Sequence, residues 1–152
     1  MQLIIFEDAK YNQLYPVSLT RPVFELKTGI TTLAEKIKLS VPSTKTAYFV
    51  RDYLAPAFRN RCGSCKVNDI ENIKTDDFMI INGRCLFVDD VSLPTNPEYW
   101  SEKEGNLTIA KVSKTTVSGF NGTNFGQLVD YIKSRVKKTD FDISMINYPW
   151  DL

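Results

Sequence analysis

The chain has 152 residues, 43% hydrophobic and 24% charged, which suits one globular domain able to bury a core without disulfides or metals. Its 19 basic and 18 acidic residues leave a formal net charge of +1, which excludes a broadly basic nucleic-acid-binding surface but not a local basic pocket. No apolar run approaches the roughly 20 residues of a membrane helix, no basic region precedes the short apolar start, and three cysteines do not make a secreted disulfide scaffold, so the expectation is a cytoplasmic protein with reduced thiols.

Leu3-Ile4-Ile5-Phe6 is a continuous apolar run stopped by Glu7-Asp8, the pattern of a central strand covered on both faces. Residues 9–29 then form a long loop, and long loops in compact domains are often functional. Thr32-Leu33-Ala34-Glu35 has capping-box spacing, so a helix starts after Thr32 with Leu33, Ile37 and Ile30 on its apolar face. Ser40 to Thr44, containing Pro42, reads as a turn. Ala47 to Val50 is a second strand, and Asp52 is placed to cap a short helix running to about Arg61. Cys62 to Cys65 is a turn, and Lys66 to Ile70 is a short strand or irregular. Phe78 to Ile81 is a third strong strand ending at Asn82-Gly83-Arg84. Cys85 to Val88 either doubles back or opens a loop, and residues 89–106 read as irregular. Leu107 to Val112 alternates as a strand does, and Phe125, Leu128, Val129, Ile132 and Val136 mark an amphipathic helix from about Asn124 to Lys137. Alternating strands and helices predict an α/β domain with a mostly parallel sheet. Ile4, Ile5, Phe49, Ile80 and Ile81 should lie buried in one sheet, with the last helix against its face.

The absence of histidine removes Ser–His and Cys–His nucleophiles and the usual metal ligand. Chemistry then falls to carboxylates, cations, backbone N–H groups or an oxygen-held metal. Arg21 and Lys27 stand six apart on a loop that leads into a helix, a place for phosphate contacts, with a planar fork from Arg and a point charge from Lys. The plainer reading has Arg21 bracing the loop by bonding Glu7, Asp8 or backbone carbonyls, and Lys27 in solvent. Glu7 and Asp8 are themselves candidates for a metal site. Cys62-x-x-Cys65 follows a helix rather than opening one and lacks the further ligands zinc requires, so it reads as a chance spacing. Asp76-Asp77 and Asp89-Asp90 read as solvated strand ends.

The segments FED…LYPVSLTRPVFELKTGITTLAEK, FMIINGR and the terminal INYPWDL resemble the N-terminal region of sugar nucleotidyltransferases related to the bifunctional UDP-N-acetylglucosamine pyrophosphorylase/glucosamine-1-phosphate acetyltransferase. The resemblance implies a Rossmann-like, three-layer domain of nucleotide-diphospho-sugar-transferase type. It implies transfer from a nucleoside triphosphate to a sugar 1-phosphate, with Mg²⁺ as cofactor. Arg21 and Lys27 match the family's phosphate-binding and catalytic Arg and Lys. The partners implied are a nucleotide and a sugar phosphate, with room for an oligomer and no nucleic acid or membrane. A hexapeptide-repeat β-helix usually follows such a region, so residues 1–152 are expected to lead a longer protein. Two positions depart from the pattern. Glu7-Asp8-Ala9-Lys10 stands where small residues and glycines would let backbone approach phosphate, and Asn82 stands where a metal-binding Asp is common. A non-catalytic binding or assembly module attached to an acyltransferase is therefore the second reading.

Overall fold

The computed structural model describes residues 1–43 and 45–152. In chain order the strands are β1 (Gln2–Phe6), β2 (Lys27–Thr28), β3 (Thr31–Thr32), β4 (Lys45–Phe49), β5 (Lys66–Val67), β6 (Phe78–Asn82), β7 (Tyr99–Lys103) and β8 (Asn106–Val112). The α-helices are α1 (Leu33–Ser40), α2 (Ala55–Cys62), α3 (Lys114–Val117) and α4 (Phe125–Arg135). Six strands form one sheet in the order β5-β4-β1-β6-β8-β7, while β2 and β3 make a small separate hairpin. β1, β4, β5 and β6 run parallel; β8 is antiparallel to β6, and β7 to β8.

Both faces of the sheet are covered, which is why its central strands read as unbroken apolar runs. Leu3 and Ile5 point to one face, with Tyr48, Met79 and Ile81, where α1 and α2 bring Leu33, Ile37 and Phe58. Ile4 and Phe6 point to the other, with Phe49 and Ile80, where α3 and α4 bring Val117, Leu128 and Ile132. The residues expected in one sheet are there: Ile4, Ile5, Ile80 and Ile81 are wholly buried and Phe49 nearly so. The Thr32 hydroxyl accepts from the Glu35 N–H while the Glu35 carboxylate accepts from the Thr32 N–H, completing the predicted capping box. Among the described residues no helix is long and apolar enough to cross a membrane.

Several expectations are corrected. Residues 99–103, expected to be irregular, form β7, because Glu104 and Gly105 both take positive φ (52° and 77°) and fold it back on β8. Ile30 is 93% exposed at the tip of the β2–β3 hairpin and does not join the α1 face. Asp52 caps nothing with its side chain; Leu54 stands at the N-cap of α2, and Pro56 occupies its first turn. The turn predicted at 40–44 is described as far as Ser43, and Thr44 lies outside the described residues. The cysteines are not all reduced. Gly63, at φ 69°, turns the chain back after α2, and Cys62 and Cys65 form a disulfide across a Cα separation of 5.8 Å. Cys85 is the free, buried cysteine.

Candidate functional site

The chain leaves β1, places β4 and β5 on one side, and then crosses to place β6 on the other. Strand order therefore reverses between β1 and β6, and open α/β sheets bind ligands outside the carboxyl ends of strands at such a point. Here those ends carry Glu7 and Asp8 after β1, Arg51 just beyond β4, and Asn82-Gly83-Arg84 at and after β6. The register aligns Phe6 with Phe49 on one side and with Asn82 on the other. It thus carries each acidic residue to an arginine on a neighbouring strand.

Glu7 pairs with Arg51. Arg51 Nε donates to Glu7 Oε2 and Nη2 to Oε1, both at 2.9 Å, in a bidentate fork with side-chain exposures of only 7% and 2%. The same Glu7 carboxylate accepts from the backbone N–H groups of Val23 and Arg51. Arg51 Nη2 also donates to the carbonyls of Ser18 (2.6 Å) and Arg21 (3.0 Å), and the guanidinium lies 4.2 Å from the Tyr11 ring centroid. Glu7 and Arg51 together pin the long loop to the sheet edge.

Asp8 pairs with Arg84. Arg84 Nε donates to Asp8 Oδ1 at 3.0 Å and Nη2 to Oδ2 at 2.6 Å. Asn82 Nδ2 adds a donation to Asp8 Oδ2 at 2.8 Å and another to the Leu107 carbonyl. Arg84 is 1% exposed, and its Nη1 reaches Asn147 Oδ1 at 2.6 Å, in the C-terminal segment. Gly83 lets the loop close tightly: a Cβ there would lie 2.9 Å from Phe24 Cβ.

Two open cavities border this arrangement. One, of about 330 Å³, lies at the ends of β1 and β4 among Glu7, Tyr11, Phe49, Arg51, Asn124 and Phe125. The other, of about 340 Å³, is lined by Thr20, Arg21, Glu25, Lys27, Thr32 and Arg61. The second brings the two predicted cations to one opening. Arg21 and Lys27 are both exposed, and the third cation there, Arg61, is paired with Glu25 at 2.8 Å.

Arg21 does not balance Glu7 or Asp8, as the plainer reading held; Arg51 and Arg84 do. Glu7 and Asp8 were also candidates for Mg²⁺, but guanidinium and amide donors occupy all four of their carboxylate oxygens. Among the described residues no group of three or more His, Cys, Asp or Glu side chains is placed to hold a metal ion. This donor set does not fit Mg²⁺, and Asn82 is engaged as a donor rather than free as an oxygen ligand. Asp76 meets the N-terminal amino group at 3.5 Å, and Asp77 accepts from the Lys114 N–H. Sequence reading missed Arg51 and Arg84. Each follows a strand that flanks β1, whose own end is Glu-Asp, and adjacent parallel strands present their ends on one edge; that charge match was the available signal.

No curated protein matches this sequence. Among solved structures, a protein assigned as a glucose-1-phosphate thymidylyltransferase from Bacillus anthracis, in complex with a sucrose, aligns over 94% of this chain and 87% of its own, with 11% identity and TM-score 0.55. An inositol-1-phosphate CTP transferase from T. maritima aligns over 99% of this chain and 91% of its own, with 13% identity and TM-score 0.58. The superpositions establish a common Rossmann-like fold, and at such identities they establish the fold alone. The sugar nucleotidyl transferase family pattern matches residues 3–152, from the first residues of β1 through the tail that holds Arg84, and the chain belongs to that family.

Proposed function

We propose that this domain transfers a nucleotidyl group from a nucleoside triphosphate to a sugar 1-phosphate, giving a nucleotide sugar and pyrophosphate. The family match across residues 3–152 carries this reading. The phosphates enter the opening that holds Arg21 and Lys27, and the rest of the nucleotide takes the cavity at the ends of β1 and β4. A sugar-phosphate oxygen attacks the α-phosphorus, the α–β phosphoanhydride breaks, and pyrophosphate leaves. Arg21 offers a planar fork to the charge that develops, and Lys27 a mobile point charge. Arg51 and Glu7 act one step back, holding the loop that carries Arg21. The resemblance implies Mg²⁺, but Glu7 and Asp8 are committed elsewhere and no step is assigned to a metal. A relationship to the bifunctional UDP-N-acetylglucosamine pyrophosphorylase/glucosamine-1-phosphate acetyltransferase, nucleotide-sugar metabolism in the cytoplasm, and a β-helical acyltransferase domain following this one belong to the same reading.

A second reading, a non-catalytic binding or assembly module, is favoured by the closed Asp8–Arg84–Asn82 cluster at the strand-order reversal. Calorimetry with UTP, dTTP and CTP, beside a pyrophosphate-release assay with sugar 1-phosphates, separates the two. Under the first reading Arg21→Ala weakens nucleotide binding by about 1.5–3 kcal/mol, more than Lys27→Ala does, because a bidentate fork is lost rather than a point charge. Absence of binding at millimolar nucleotide together with no pyrophosphate release selects the second.

A further inference from the structure

At the opposite edge of the sheet the parallel strands begin, and there lies a groove of about 550 Å³. Gln2, Lys45 and Lys66 open β1, β4 and β5, and all three line it, joined by Lys38 from α1. The register sets Gln2 beside Lys45 and Lys66 beside Ala47, so the groove wraps the N-terminal end of β4. Tyr48 and the Cys62–Cys65 disulfide add apolar wall, with Lys38 Nζ 5.6 Å from the Tyr48 ring centroid.

Two features mark this groove as more than a basic rim. Gln2 is 1% exposed, yet its Oε1 has no hydrogen-bond partner, and the buried Nδ2 of Asn72, which also lines the groove, has none either. Buried polar atoms are nearly always satisfied, so an unpartnered acceptor and an unpartnered donor on two side chains that line one cavity point to a partner reached from that cavity. Lys38, Lys45 and Lys66 form no ion pair among the described residues. The nearby carboxylates are committed: Asp76 to the N-terminal amino group and the Asp77 N–H, and Glu35 to the Thr32 N–H.

We propose that the groove at the N-terminal ends of β1, β4 and β5 binds a small phosphate monoester of a polyol or sugar, at a site separate from the Arg21–Lys27 opening. The lysines and Asn72 Nδ2 take the phosphate oxygens, and Gln2 Oε1 accepts from a ligand hydroxyl. Inorganic phosphate supplies the first contacts and lacks the neighbouring hydroxyl; a free sugar supplies only the second.

The test is an NMR titration of the whole chain with ribose 5-phosphate, inorganic phosphate and ribose, following the side-chain amides of Gln2 and Asn72 and the backbone amides of Lys45 and Lys66. Ribose 5-phosphate should give saturable shifts at these positions, inorganic phosphate weaker ones, and ribose none. The Lys45→Gln/Lys66→Gln double variant should weaken ribose 5-phosphate binding about tenfold, the loss expected for charge-assisted contacts, with an unchanged thermal melt. Arg21→Ala should leave these shifts as they are, so that failure of the nucleotide reading does not touch this one. No saturable shift up to about 10 mM, where even a millimolar site would fill, overturns the proposal and leaves Gln2 and Asn72 to water. Shifts indifferent to the lysine substitutions, or abolished by Arg21→Ala, overturn it equally.

Discussion

Arg51 is the residue on which the sheet edge depends. Its guanidinium is shared among Glu7, the Ser18 and Arg21 carbonyls and the Tyr53 hydroxyl, so one side chain ties β1, β4 and the long loop together. Removing it leaves Glu7, whose side chain is 2% exposed, charged and without its partner. Arg51→Ala should therefore cost about 3–5 kcal/mol in urea unfolding, and Arg51→Lys should recover little, since an ammonium cannot reproduce the fork. Arg21→Ala should change stability by no more than about 0.5 kcal/mol, because its side chain is exposed and the loop is held through its backbone carbonyl. Equal losses for the two variants would refute this division between an anchoring arginine and one free for ligand.

Among the elements, the β7–β8 hairpin and α3 are joined by one carboxylate. Glu98 Oε1, just ahead of β7, accepts from the Ser113 N–H and from the hydroxyls of Ser113 (2.8 Å) and Thr116 (2.6 Å). Burial works to raise the Glu98 pKa, but these donations outweigh it and hold the group below its ordinary value of 4.5. A carboxylate depressed in the folded state adds stability above its unfolded pKa and loses it as pH falls through the folded one. Glu98→Gln should thus be less stable than the parent by about 1 kcal/mol at pH 7, with the gap narrowing below about pH 4. A gap independent of pH would remove the charge from this account. At the end of α2 the Cys62–Cys65 disulfide predicts a thiol count. Burial pushes the Cys85 thiol up to about 12, and its side chain is 1% exposed. The native protein should show no reactive thiol, and unfolding without reductant should expose one per chain. Three thiols under those conditions would mean that Cys62 and Cys65 are reduced.

For the whole molecule, the C-terminal segment is part of the fold. Ile143 and Ile146 are buried against the α1–α2 side of the sheet, Leu86 N donates to the Ser144 carbonyl, and Ile146 N donates to the Arg84 carbonyl. Deleting residues 141–152 removes these two buried isoleucines, whose burial is worth about 1.5–3 kcal/mol each, and strips Arg84 of Asn147. The truncated chain should lose its cooperative thermal transition; an unchanged melt would show that Arg84 and Asp8 hold the crevice shut without it.

Much of the architecture was legible in the residues because local pattern and tertiary demand coincide there. Continuous apolar runs at 3–6, 47–50 and 78–81 have one stable use, a parallel sheet covered on both faces, and Thr32 with Glu35 closes its capping box within four residues of chain. β7 was hidden because Tyr99-Trp100-Ser101-Glu102-Lys103 is polar enough to pass for loop, and only its partner β8 makes it a strand. Composition likewise pointed to reduced thiols, while the turn at Gly63 brings two of the cysteines together. The family resemblance rested most on LTRP and the tail motif, while Arg21 and Lys27 were singled out as two cations six apart on one stretch ahead of a helix. Which cation meets which carboxylate could not: Glu7 and Arg51 are 44 residues apart, and Asp8 and Arg84 are 76. Those pairings depend on β4 and β6 lying on either side of β1 with their ends level. Strand order is decided by how the whole chain packs, and it is strand order that closes the edge with Arg51 and Arg84 and leaves Arg21 facing solvent.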